Sequence, residues 1–407
     1  MKKSLSVLLA AFLSLTACQN IEQLVPEVTD DVLSAQIEQD EVTKTVLGES
    51  NNILWSENDQ IVAFMKTSYG HKYQIQPSFA GKTFMLTKDI DLNGCEWTPI
   101  GSSANPFQGV FDGNGKKVYN LNVNTNTYAG FIGHLSGEGV VKNLTIGSSD
   151  GLTYDNSSAI VHTPSKNATG WSYVGAVAKL SSHASLENVT NFARLEIPDT
   201  DYTPQACMGG MTGINQGQGN ITGCKNYGEI NYLETQGVTN GKIHVIAGIV
   251  AKCDYAVTVS GCYNYGKITN KCEAVRYVGG IIGNSRSANY DNTKPVNITG
   301  CENAGPIEIH ASPYTENDAL VEFGVGGICG MLQNANLNAC VNTGKITIAA
   351  TSSTSIYVGG IAGYADVREM KMTNCDNTAV VSGKFNSGNK TAVHVGGVVA
   401  YSTKAVT

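Results

Sequence analysis

The chain has 407 residues, of which 15% are charged, and a formal net charge of −7. Its arginines are few and its lysines form no basic cluster, which disfavours nucleic-acid binding because that function needs a concentrated positive surface. The 45 glycines are spread along the chain and favour many short strands and tight turns.

Residues 1–17 have the pattern of an export signal, with Lys2 and Lys3 followed by an apolar run too short to span a bilayer. Leu15-Thr16-Ala17-Cys18 then resembles the lipobox of bacterial lipoproteins, which implies that the Cys18 thiol is acylated and becomes the mature N-terminus. Residue 19 is Gln rather than Asp, so this resemblance favours anchoring in the outer membrane and display at the cell surface.

Two segments separate this signal from the rest of the chain. Residues 18–50 are acidic and are predicted to form a flexible tether. Residues 51–83 are predicted to form an N-terminal cap, in which Ile61, Phe64 and Met65 favour a short amphipathic helix over the open end of a sheet array. A strand is the competing interpretation, because 61–64 is β-prone.

Residues 84–407 are dominated by a repeated cassette: a small residue, a glycine, two mostly apolar residues, then glycine or alanine. The copies span 129–133, 174–178, 209–213, 247–251, 279–283, 326–330, 359–363 and 396–400. Their starting points lie 32 to 47 residues apart. A constant motif with variable spacing is typical of a stacked array whose loops absorb the insertions.

Each repeat is predicted to contain about three short strands, which cannot bury an apolar face unless the repeats stack as coils of a parallel β-helix. Eight cassette coils and one or two coils from 84–123 give an all-β solenoid of nine to ten coils. A β-propeller with four strands per repeat is the alternative architecture. The last repeat is incomplete after residue 400, so either the chain continues or its C-terminal coil pairs at its edge with another element.

Cysteine and asparagine share one register in the later repeats. The positions are Cys224, Cys262, Cys301, Cys340 and Cys375, each two residues before Asn226, Asn264, Asn303, Asn342 and Asn377. Earlier copies place Leu144 and Val189 in the cysteine register, so we expect buried free thiols that act as packing rather than disulfides or metal ligands. The asparagines fit an amide ladder from coil to coil, which favours the β-helix over the propeller.

The cassettes with Cys-x-Asn-x-Gly resemble the GLUG repeats of bacterial cell-surface proteins. Phe79–Thr83, Leu86–Leu92, Trp97–Gly101 and Phe111–Gly115 are similar to the coil that precedes such arrays. The resemblance covers about 79–407 and implies a right-handed β-helix on a secreted or lipid-anchored, adhesin-like protein of Bacteroidetes type.

A second resemblance is confined to the N-terminal region. Thr43–Leu47 and Trp55–Ile61 are similar to the leader of fimbrillin-type lipoproteins, in which an arginine-specific protease frees the polymerising strand. No arginine precedes Arg194, which argues against that maturation route. Because of this resemblance, a fimbrial accessory or tip subunit is an alternative function, although the missing arginine makes it a secondary one.

The sequence predicts no catalytic residue, no metal site and no cofactor. Gly147-Ser148-Ser149-Asp150-Gly151 matches a nucleophile motif, but chance explains it in a chain so rich in glycine and serine. Asp89 and Asp91 belong to the opening-coil pattern and are explained by turn capping. The other glutamates considered show no paired register: Glu187, Glu229, Glu273, Glu302 and Glu308.

The long insertions between strands are the predicted contact surfaces, because solenoid insertions bulge from one face and carry exposed aromatic and acidic side chains. The candidate binding residues are Tyr154, Asp155, Trp171, Tyr290, Asp291, Tyr314 and Glu316. The leading hypothesis is a non-enzymatic, lipid-anchored surface protein that binds a glycan or a surface protein. A polysaccharide-cleaving lyase or hydrolase is the enzymatic alternative.

Overall fold

The computed structural model describes residues 46–47, 52–54, 79–165, 170–200, 205–235, 244–272, 275–285, 295–310, 323–352, 355–365, 371–387 and 393–403. These residues form an all-β parallel solenoid with no helix among them, which confirms the predicted β-helix. The expected capping helix lies outside the described residues, as do the signal peptide and Cys18.

Five sheets run along the solenoid and are numbered here in the order in which a repeat crosses them. Sheet 1 contains Ser172–Val174, Ala206–Gly209, His244–Ala247, Val275–Gly279, Phe323–Gly326, Ile356–Gly359 and Val393–Gly396. Sheet 2 contains Ile132–Leu135, Val177–Ser182, Thr212–Gly217, Val250–Cys253, Ile282–Asn284, Cys329–Leu332, Ala362–Ala365 and Val399–Ser402.

The remaining three sheets complete each coil. Sheet 3 contains Val46–Leu47, Asn52–Leu54, Thr83–Met85, Val110–Asp112, Val140–Lys142, Ser185–Glu187, Ile221–Thr222, Thr258–Ser260, Val296–Thr299, Ala335–Asn338 and Lys371–Thr373. Sheet 4 contains Ile90–Asp91, Lys117–Tyr119, Thr145–Ile146, Thr190–Asn191, Lys225–Asn226, Tyr263–Asn264, Glu302–Asn303, Val341–Asn342 and Asp376–Asn377. Sheet 5 contains Asn122–Thr125, Ala159–His162, Arg194–Ile197, Ile230–Tyr232, Ile268–Asn270, Ile307–Ile309, Ile346–Ser352 and Val381–Ser387.

The predicted number of coils was wrong. A full repeat crosses five sheets rather than three, and within the described residues only the six repeats between Ser172 and Ser387 do so. Among the described residues, the repeats on either side have fewer strands: those before Ser172 have no sheet 1 strand, and the last one has Val393–Gly396 and Val399–Ser402. In place of the predicted nine to ten coils, the described residues form six complete coils flanked by partial ones.

The N-terminal edge of sheet 3 is a small hairpin. Asn52–Leu54 pairs parallel with Thr83–Met85 and antiparallel with Val46–Leu47. Val46 and Leu47, which the sequence analysis placed in the flexible tether, thus form the outermost described strand of the array.

The cassette glycines allow two parts of the coil to approach closely. A Cβ atom at Gly280 would collide with the carbonyl oxygen of Gly327 in the next coil and with Cγ of Asn303. Gly248, Gly327 and Gly360 are equally close to the corresponding glycine carbonyl of the next coil and to the corresponding asparagine of their own coil. Close backbone approach, rather than a positive φ, explains why this position is glycine.

Candidate binding surfaces

The predicted asparagine column lies inside the solenoid as a continuous hydrogen-bonded ladder. Asn191 Nδ2 donates to Asn226 Oδ1 at 2.9 Å, and the same bond links Asn226 to Asn264 at 2.9 Å. It continues from Asn264 through Asn303 and Asn342 to Asn377, at 2.8 Å for each step. Each amide also donates to the carbonyl two residues ahead, so the ladder ties every turn to the next coil.

The row of cysteines lies beside this ladder. Cys224, Cys262, Cys301 and Cys340 are at most 1% exposed, and Cys375 is half-buried. Neighbouring thiols and burial raise the pKa of Cys301 and of Cys340 to about 12. Such thiols are poor nucleophiles and pack as small apolar groups.

The insertion that carries Tyr154 is held by Asp150. Its carboxylate accepts hydrogen bonds from Ser148 Oγ at 2.7 Å and from the hydroxyl of Thr153 at 2.6 Å. These bonds hold the pKa of Asp150 well below its usual range. The segment 147–151, whose residues match a nucleophile motif by chance, is therefore a turn capped by the Asp150 carboxylate.

Tyr154 is half-buried at the edge of sheet 5, whereas its neighbour Asp155 is exposed. The Tyr154 hydroxyl donates to Asn156 Oδ1 at 3.2 Å, and Arg194 Nε donates to the same oxygen at 2.9 Å. Burial and the Glu229 carboxylate raise the pKa of Tyr154 to about 12, so it is a neutral donor at physiological pH.

A charged strip, defined here as Arg194, Glu196, Glu229, Lys267 and Glu308, follows the outer face of sheet 5. Arg194 is paired with Glu196, and Lys267 Nζ lies 2.7 Å from Glu308 Oε2. The hydrogen bond from Lys267 outweighs burial and lowers the pKa of Glu308. Of the glutamates considered in the sequence, the strip contains Glu229 and Glu308, which lie two coils apart and in different registers.

Trp171 lies in a different place, over the angle between sheets 1 and 2. It belongs to an aromatic–lysine cluster, defined here as Tyr128, Trp171, Tyr173, Lys179 and Lys252. The Trp171 and Tyr173 rings are parallel within 5° at 6.5 Å, and the Tyr128 and Tyr173 rings are 5.2 Å apart.

Both lysines of this cluster face aromatic rings. Lys179 Nζ lies 5.5 Å from the Tyr173 ring centroid, and Lys252 Nζ lies 5.1 Å from that of Trp171. Asp254 fixes Lys252 through an ion pair of 2.8 Å. Trp171 and Tyr128 are half-buried, so their rings remain partly open to solvent.

Sequence reasoning identified Trp171 but missed its lysine partners. Lys179 and Lys252 lie in one register of sheet 2, separated by Ile214 in the coil between them. Aligning the residue two places after each cassette's second apolar residue would have revealed this column. Tyr290, Asp291, Tyr314 and Glu316 lie outside the described residues.

Asp89 and Asp91 form an ion pair and a turn hydrogen bond, respectively, in the opening coils. Asp89 pairs with Lys117 at 2.8 Å, and Asp91 Oδ1 accepts the Asn93 backbone N–H at 2.7 Å.

In the described part of the chain, no group of three or more histidine, cysteine or acidic residues has metal-binding geometry. The described residues also include no helix with the length and hydropathy of a membrane span.

No protein-family model matches the chain. A segment is similar to a protein of Evansella cellulosilytica named "Putative Gly-rich membrane protein", with 34% identity over 98 residues. That match covers 22% of this chain and 11% of the relative, so the chain spans a small part of that protein's length. The structure is similar to that of "a putative immunoglobulin A1 protease" from Bacteroides ovatus, with 18% identity, a TM-score of 0.37 and coverage of 78% of both chains.

Proposed function

We propose that the chain is a non-catalytic binding protein displayed at the cell surface through a lipid on Cys18 in the outer membrane. In this role the β-helix is a rigid support, and the aromatic–lysine cluster contacts a glycan or a surface protein. The lipobox-like segment and the GLUG-like repeats support surface display. The partial similarity to a protein named for membrane association agrees with it.

The observation that carries the proposal is the partly open ring surface of Trp171 and Tyr128, flanked by ammonium groups. Aromatic faces stack on the C–H faces of sugars and pack against apolar side chains. Lysine and the Asp254 carboxylate supply hydrogen bonds beside them, which fixes the orientation of a ligand.

The experiment is a binding screen of the full chain on immobilised glycans and extracellular proteins, followed by Trp171→Ala. Removal of the ring should weaken binding about tenfold or more, since burial of a large aromatic side chain contributes about 1.5–3 kcal/mol. The matched control is Tyr255→Ala, which removes another half-buried ring, in the third complete coil. Equal affinity of Trp171→Ala and the unsubstituted chain would exclude the cluster as the contact site.

The charged strip makes glycan cleavage the second candidate, because a β-helix enzyme needs acidic and basic side chains on adjacent coils. A glycosidase also needs one carboxyl group that is protonated at neutral pH, whereas the pKa of Glu308 is lowered and Glu196 is paired with Arg194. New reducing ends or unsaturated products that disappear in Glu229→Gln would favour the enzyme.

A further inference from the structure

A column of aromatic rings follows the corner between sheets 4 and 5. Phe192, Tyr227 and Tyr265 occupy the position after the ladder asparagine in three successive coils. Consecutive ring centroids are 4.6 Å apart, and the ring planes are parallel within 5° and 14°. This distance is close to the coil spacing of about 4.8 Å, so each ring covers the face of the one before it.

The column stops at Tyr265 although the backbone continues in register. Asn264 pairs with Asn303, which places Ala304 directly after Tyr265 in the column, and Thr343 follows. A methyl group cannot cover a phenol ring. Tyr265 is accordingly 40% exposed, whereas Phe192 at the buried end is 1% exposed.

The open ring face has no cover from the described chain at this corner. The turns between sheets 4 and 5 are short in all three neighbouring coils, and they are fully described. Among the described residues, the position above Ala304 is therefore where the next ring of the column would lie, and the exposed face of Tyr265 borders it.

Polar groups border this position on one side. Glu302 stands one residue before the ladder asparagine of the Ala304 coil, and its Oε1 accepts a hydrogen bond from Thr343 Oγ1 at 3.3 Å. The Tyr263 ring lies 6.2 Å from Tyr265, with planes parallel within 7°. Burial, the Tyr227 ring and Glu302 raise the pKa of Tyr265, which keeps its hydroxyl a neutral donor.

We propose that the open face of Tyr265 above Ala304 is a second binding site, which takes the C–H face of a neutral pyranose ring of a glycan. The sugar occupies the position that another aromatic ring would fill, and its hydroxyls hydrogen-bond to Glu302 and Thr343. The Glu302 carboxylate repels phosphate and carboxylate groups, which selects a neutral sugar over a nucleotide or a uronic acid.

This site is independent of the aromatic–lysine cluster. Tyr265 lies at the corner of sheets 4 and 5, whereas Trp171 lies over the angle between sheets 1 and 2. The two sites can therefore be tested separately.

The test uses the full chain with cellohexaose, maltohexaose and mannohexaose as probes, and measures affinity by calorimetry and stability by thermal melting. Tyr265→Ala should weaken binding of the preferred hexasaccharide about tenfold or more, as for other rings that stack on aromatic side chains. Ala304→Tyr fills the site with a fourth ring and should weaken binding equally, while the melting temperature stays the same or rises. Tyr119→Ala, in the same register near the N-terminal end, is the matched control and should bind normally.

Unchanged binding in Ala304→Tyr would overturn this proposal, and so would an equal loss in Tyr119→Ala or no binding of any hexasaccharide. If Ala304→Tyr does not fold, Tyr265→Ala and Glu302→Gln replace it. Both should weaken hexasaccharide binding, and unchanged binding in both would contradict the second site. Loss of binding in Trp171→Ala alone would overturn the second site and leave the proposed function intact. A chain that binds no glycan or protein in the wider screen contradicts the proposed function itself.

Discussion

At the residue scale, one side chain satisfies several buried groups at once. Asn264 Nδ2 donates to the Gly266 carbonyl at 3.0 Å and to Asn303 Oδ1 at 2.8 Å, while its Oδ1 accepts from Asn226. Only a primary amide has both donors and an acceptor for an unbroken ladder, and aspartate would lack the donors. This chemical requirement made the asparagine register visible in the sequence.

Buried histidines give the stability of the fold a pH dependence. Burial lowers the pKa of His162 to about 4, and burial with Lys179 lowers that of His134 to about 4. The unfolded chain takes up these protons near pH 6.5, so stability is full above that pH and is lost as the pH falls toward 4. Each pKa unit corresponds to about 1.4 kcal/mol, so His162 alone should cost about 2–3 kcal/mol at pH 4.

The measurement is urea unfolding at pH 7, 5.5 and 4.5 for the unsubstituted chain and His162→Leu. We expect the substitution to flatten the loss of stability over this range. His183→Leu is the control, because it removes an exposed imidazole and so tests whether the effect requires burial. A parallel loss in all three proteins would assign the effect to other groups.

At the scale of elements, the parallel β-helix was predictable and its subdivision was not. The cassette and the Cys-x-Asn register fixed which segments stack, because like residues meet in successive coils. Strands such as Lys225–Asn226 and Tyr263–Asn264 contain only two residues, too few to show an alternating pattern. The cassette also separates two strands instead of lying within one, so three predicted strands became five.

The cassette glycines give a direct test of close coil approach. A Cβ at Gly280 collides with Gly327 and Asn303, whereas one at Gly397, the same cassette position of the last copy, meets no atom within 4 Å. We expect Gly280→Ala to lower the free energy of unfolding by about 1–3 kcal/mol or more, as overpacking does, and Gly397→Ala to be nearly neutral. Thermal melting followed by circular dichroism compares them, and similar melting temperatures would exclude close packing as the reason for the motif.

At the scale of the whole molecule, each coil contacts its neighbours and the array forms a continuous interior. The side chains that are available for binding then lie on the outer surface, where residues from distant repeats come together. Trp171 was predictable as an aromatic residue beside a long insertion, but Lys252 lies 81 positions later and meets it only because of the register. The open face of Tyr265 likewise depends on Ala304, which has no distinctive sequence pattern.

The asparagine ladder is the feature on which this architecture depends, and side-chain amide hydrogen exchange tests it most directly. In the chain labelled with nitrogen-15 at asparagine, the amides of the buried Asn226, Asn264, Asn303 and Asn342 should exchange over hours or longer. The half-buried Asn231 should exchange far faster. Equally fast exchange of the ladder amides and Asn231 would contradict a coil-to-coil ladder inside the solenoid.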